Sequence, residues 1–211
     1  MMLDQGRPAD GHRLLGAWLE GRSGSGSEWI HLHFHMAVFE FALGDWDAAH
    51  ARFMNHILPS AATTEDALTD APALLWRLQL SAPRPVALPW QPLRRTALKR
   101  MQRACDPFVQ LHNLPALAGA GDSESIDRWL QTQPLCDDAS RECVLRKTAI
   151  ALKAFAARTY RNAAEALESV LPHLPGLGGS LAQHRLFTEM VQSSWRLVRQ
   201  VAPAQVESNA A

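Results

Sequence analysis

Cysteine is scarce in this chain of 211 residues. Cys105, Cys136 and Cys143 are an odd number with no C-x-x-C spacing, which argues against a disulfide framework or a zinc knuckle and leaves reduced, structural thiols. An excess of either charge is missing too: Lys plus Arg and Asp plus Glu both come to 21. That balance provides no basic field to hold nucleic acid or an anionic membrane surface. Nowhere is there an apolar run approaching about 18 residues, and the opening MMLDQGRPADGHRLL has no apolar leader core. A cytoplasmic protein is expected. Paired carboxylates, a glycine-rich phosphate loop and a Cys/His cluster are all lacking, so no cofactor or metal is implied. What the chain does have is 47% apolar residues, enough for one domain with a continuous core.

The most informative stretch is His31 to Phe53, HLHFHMAVFEFALGDWDAAHARF. An apolar-periodic run ends at Leu43-Gly44-Asp45, where glycine accepts the positive φ that closes a helix and Asp45 is suited to cap the next one. Ala37 and Ala49 flank the turn as small residues where two antiparallel helices approach, and Phe53 fills the space one turn later. A helix, a G-D turn, then Ala and an aromatic at i+4 is the tetratricopeptide pattern, in which each hairpin buries its apolar face by stacking on the next.

The pattern recurs. Gly6 leads to Gly11 and Leu15, Gly44 to Ala49 and Phe53, Gly121 to Ile126 and Leu130; Arg158 lacks the glycine but leads to Ala163 and Leu167. The turn residues are separated by 38, 77 and 37 residues, so the long gap predicts a degenerate turn near Ser81-Ala82. The expected fold is all-α: a tetratricopeptide-like α-solenoid of about five antiparallel hairpins with a period near 38, against about 34 for the usual repeat. One domain is expected over residues 1–201, followed by a disordered tail over 202–211.

Along the chain, the Gly6 turn has too little sequence before it for a full first helix. Either the chain is the C-terminal part of something longer, or Leu14, Leu15, Trp18 and Leu19 form a face for a partner, including self-association. GRSGSGS (21–27) reads as a flexible connector. A loop is expected over Pro59–Thr64, a helix over Glu65–Leu80, a proline-rich loop, then a helix over Gln91–Cys105 whose Lys and Arg form a solvated face. Asp106-Pro107 is a strong helix start, and Pro115 should kink the helix it opens. Helices follow over Glu124–Gln131, Ala139–Ala157 and Asn162–Leu171. Ser180 then caps a last helix to Val201.

The strings HLHFHMAVFEFALGDWDAA, DAPALLWRLQL, FVQLHNLPALAGAGD and GLGGSLAQHRLF, in this order, resemble the C-terminal half of the tetratricopeptide repeat protein 38 family over roughly Gly6 to Phe187. The resemblance implies a tetratricopeptide-like solenoid of largely undefined role, from a family whose members are longer at the N-terminus. The chain departs from the family where F-x-D-x-H-A meets Phe108, Gln110, His112 and Asn113, and where G-G-S-H-A-Q-R-D meets Leu181, His184 and Arg185. Chemistry needing those polar groups is weakened by the departures.

In a tetratricopeptide hairpin the first helix lines the concave groove. Counting back from Ala37 brings His31, Phe34 and His35 to that groove, with His33 between the helices; counting from Ile126 brings Phe108 and His112. A count from Ala87 brings Trp76, and the last helix offers Gln183. His31 and His35 share a helix face at i, i+4, but no Glu lies between them and no third ligand is implied. Two functions follow: a non-catalytic scaffold holding a protein or peptide in the groove, or an enzyme, intact or decayed, using the groove histidines as acid and base on a small ligand. The missing polar groups favour the scaffold.

Overall fold

The computed structural model describes residues 2–3, 5–61, 66–103, 106–132 and 141–208. Among them the chain is helical, without strands. None of the described helices is long and apolar enough to cross a membrane. The chain divides into two compact units, Met1–Arg103 and Ala104–Ala211.

The first unit is built around α2. Helix α1 (Pro8–Leu19) starts after Gly6, with proline in its first turn where the missing N–H costs nothing. It packs on α2 (Gly26–Ala42) through Gly11, where an added Cβ would lie 2.4 Å from the Phe39 ring. Helix α2 buries Ile30, His33, Phe34 and the run Met36 to Glu40. A residue set buried nearly all round belongs to a central helix, and α1, α3 and α5 surround it. Helix α3 (Trp46–Arg52) widens into a π turn, Phe53–Ile57, and continues as α4 (Leu58–Ala61). The expected loop therefore begins later than Pro59; 62–65 lie outside the described residues.

The helix expected over Glu65–Leu80 is broken. A 3₁₀ turn, Asp66–Thr69, precedes α5 (Ala71–Leu80), with Asp70 between them. Pro72 is the physical reason: it has no N–H to bond back to the carbonyl of Leu68, so a helix cannot run on through Asp70, and proline is accommodated in the first turn of α5 instead. The helix ends near the expected Ser81, whose N–H and hydroxyl both bond to the Arg77 carbonyl. The repeat register then lapses, because Ala87 is exposed in the loop before α6 (Trp90–Met101). Helix α6 buries Trp90, Leu93, Thr96 and Ala97 and leaves its Lys and Arg side chains outward or half covered.

In the second unit, Asp106 caps α7 (Pro107–Gly119) by accepting from the Phe108 N–H, and α7 accommodates Pro115 in its interior. It packs on α8 (Ser123–Thr132) and α9 (Arg141–Ala156); α10 (Tyr160–Val170) packs on α9 and α11 (Leu181–Ser208). A 3₁₀ segment, Leu171–Leu177, joins the last two. Helix α11 passes the expected end at Val201 and continues to Ser208. Cys143 is buried, whereas Cys105 and Cys136 lie outside the described residues.

Four turns repeat one geometry. Gly6, Gly44, Gly121 and Arg158 all have positive φ, at 68°, 80°, 72° and 61°. In each, the N–H of that residue bonds to the carbonyl three back and the next N–H to the carbonyl five back: to Leu3 and Met2, Phe41 and Glu40, Ala118 and Leu117, Phe155 and Ala154. This pairing is that of the Schellman motif; at Gly44, Gly121 and Arg158 it closes α2, α7 and α9, whereas no described helix precedes Gly6. Five residues on, Gly11, Ala49, Ile126 and Ala163 are all buried. The turn and the small or apolar residue after it are one unit, used four times.

Candidate functional site

The expected groove residues fall into two groups, one in each compact unit. In the first unit, His31 and His35 stand one turn apart on α2. The His31 Nδ1 lies 2.8 Å from Asp70 Oδ2. A carboxylate only accepts, so His31 carries its proton on Nδ1 and turns Nε2 toward His35, whose own Nε2 is 2.9 Å away. The two rings meet edge to face with centroids 4.4 Å apart. Asp70 is buried where the 3₁₀ turn breaks before α5, which fixes its position against α2.

Asp70 hydrogen-bonds His31 and raises its pKa above the usual imidazole value. Burial, reinforced by the His31 charge, lowers that of His35. The pair therefore takes up its first proton on the Asp70 side. The His35 Nδ1 is enclosed and has no hydrogen-bond partner among the described residues. Phe34 is fully buried beneath, its ring nearly parallel to His31 at 6.0 Å. It is a floor for the histidines and not a contact surface. Trp76 is likewise a core side chain, 1% exposed and against Trp90 at 5.2 Å. The count from Ala87 misassigned it because the register lapses in that loop.

A second network in the same unit was legible only as His33 packed between helices. Arg52 donates to both oxygens of the buried Glu40 at 2.6–2.9 Å and reaches the His33 Nδ1 at 3.1 Å. His56, carried by the π turn, stacks on His33 with centroids 4.0 Å apart and planes 5° apart. Burial, then the charges of His56 and Arg52, push His33 down to about 4. Its sequence signal was Glu40, a lone acid in an apolar run. This network ties α2 to α3.

In the second unit, Phe108 and His112 meet edge to face at 4.6 Å. They lie by the Gly178-Gly179 turn, whose φ values are +90° and +97°. An added Cβ on Gly179 would come within 3.0 Å of the Phe108 ring, 3.1 Å of Gln183 Oε1 and 3.1 Å of His184 Nε2. The expected Phe108 and Gln183 are thus brought together through Gly179, with His184 as a neighbour the groove count omitted. Ser180 and Gln183 form a reciprocal capping box: the Ser180 N–H donates to Gln183 Oε1 at 2.8 Å, and the Gln183 N–H to the Ser180 hydroxyl at 3.3 Å. His184 Nε2 donates to the Gly178 carbonyl at 2.7 Å. His112 and Gln183 are buried, leaving Phe108 half-exposed. Of the seven groove residues, only His31, His35 and Phe108 have side chains a partner reaches without rearrangement.

No family model matches the chain, and no solved structure matches it.

Proposed function

We propose that this protein is a tetratricopeptide-like repeat module, of the tetratricopeptide repeat protein 38 type, that holds a protein or peptide partner without turning it over. Its hairpins stack as a solenoid of about five, in a cytosolic setting. The reading rests chiefly on the four turns of equivalent geometry, three of them closing a helix, each with a buried residue five positions on. Repeated hairpins of this kind characteristically present helix faces to peptides or helices. In the first unit His31 and His35 contribute contacts with Phe34 beneath them and Trp76 in the core; in the second Phe108 contributes, beside the buried His112 and near Gln183. Leu14 and Trp18, both exposed, with Leu15 and Leu19 half-covered beside them, offer a further face for self-association.

The second reading, an acid–base enzyme, draws on one observation: the Asp70–His31–His35 chain resembles an oriented general base. The test is capture from source lysate by the immobilised chain and by a His31→Ser, Phe108→Ser variant of unchanged circular dichroism. A partner recovered intact by the wild type and lost by the variant supports the module. Identical capture by both, or a captured molecule returned chemically altered, overturns it.

A further inference from the structure

We propose that His31 and His35 form a two-histidine site for a divalent transition-metal cation of the zinc, nickel or copper class, with Asp70 as the outer group that orients His31. The spacing i, i+4 is not enough by itself. Two independent features of the geometry add to it. First, the two Nε2 atoms converge to 2.9 Å. A cation about 2.0–2.1 Å from each imidazole nitrogen would sit between them at an N–metal–N angle of about 90°, and opening the pair to about 3.3 Å gives the tetrahedral angle. His35, which donates its Nε2 proton to His31 in the metal-free pair, must carry its proton on Nδ1 for both Nε2 atoms to ligate.

Second, the Nδ1 of His31 is already held by a buried carboxylate at 2.8 Å. This is the outer-shell arrangement of metal-binding histidines: the carboxylate fixes the tautomer, aims the bare Nε2 and strengthens it as a donor. Phe34 packs under the His31 ring and restricts its tilt. The His31 side chain is 41% exposed, which gives the cation an entry path from solvent.

Among the described residues no group of three or more His, Cys, Asp and Glu assembles that could hold a metal. The site is accordingly an open one, with the remaining positions filled by water or by donors from a bound molecule, unlike a closed four-ligand structural site. Two neutral imidazoles select borderline cations that accept nitrogen and discriminate against calcium and magnesium, which require oxygen ligands. The simpler occupant of the same geometry is the proton of an N–H···N bond, and the experiment separates the two.

The full chain is titrated calorimetrically with ZnCl₂, alongside His35→Ala and Asp70→Asn, and the histidine ring resonances are followed by NMR. The expected result is one equivalent of Zn²⁺ bound by the wild type and lost in His35→Ala. For Asp70→Asn the affinity falls about 10- to 100-fold, the range for removing an outer-shell partner. The His31 and His35 resonances shift before those of the remaining histidines, a readout that holds even where a variant folds poorly. Equal stoichiometry and affinity in wild type and His35→Ala overturn the site, as do resonance shifts spread evenly over all histidines.

Discussion

His33 is held neutral by its surroundings, and this makes the fold sensitive to acid. In the unfolded chain it titrates near the ordinary 6.5; in the fold it titrates at about 4. Its contribution to stability is present above 6.5 and is lost as pH falls toward 4, because the unfolded chain takes up a proton the fold refuses. His35 and His56 are shifted in the same direction, chiefly by burial. His31 is shifted up, so its contribution is present below 6.5 and is lost as pH rises through its folded pKa. Three downward shifts against one upward predict a thermal midpoint lower at pH 4.5 than at pH 7, and His33→Gln should flatten that slope. An unchanged slope would show that His33 is not the sensor. Gly11 carries a second residue-scale prediction. Gly11→Ala drives a Cβ into the Phe39 ring and should destabilise the chain by about 1–3 kcal/mol in urea unfolding. Of the histidine cluster, His31 and His35 were legible because a helix fixes i, i+4 neighbours. Asp70 was not, since it arrives from 39 positions away and only folding brings it near.

At the scale of the element, the turns were legible because their chemistry is local. Glycine at a positive φ, aspartate accepting from the Ala48 N–H and a small residue five positions later all sit within one short window. Arg158 was readable only through Ala163 and Leu167, because its own side chain gives no sign of a left-handed backbone. The break at Asp70 is set by the single residue Pro72 inside an otherwise helical pattern, and the proline-rich loop around Ala87 carries no repeat period across it. The Gly178-Gly179 turn and the Ser180–Gln183 box form the other local device. Gly179→Ala places a side chain at φ +97° among Phe108, Gln183 and His184. It should cost about 1–3 kcal/mol, read as a lowered unfolding midpoint, whereas a neutral result would mean the turn relaxes freely.

For the whole molecule, the sequence revealed helical hairpins but not which of their faces stay open. Phe34, Trp76, His112 and Gln183 have the periodicity of a groove and the burial of a core, and periodicity alone does not separate the two. The exposed Leu14 and Trp18 carry the self-association proposed above. Sedimentation velocity should show a concentration-dependent dimer or larger species for the wild type and a monomer for Trp18→Asp. A wild-type monomer at high concentration removes that proposal without touching the rest. The repeated turn is the claim on which the account depends, and it makes a prediction of opposite signs. If Gly6, Gly44, Gly121 and Arg158 occupy one motif, a side chain is a strain at each of them. The decisive measurement is urea unfolding of Gly44→Ala, Gly121→Ala and Arg158→Gly beside the wild type. The account predicts that both alanine variants lose about 1 kcal/mol or more and that Arg158→Gly gains about 0.5–1 kcal/mol. Neutral alanine variants, or an Arg158→Gly chain no more stable than the wild type, would contradict it.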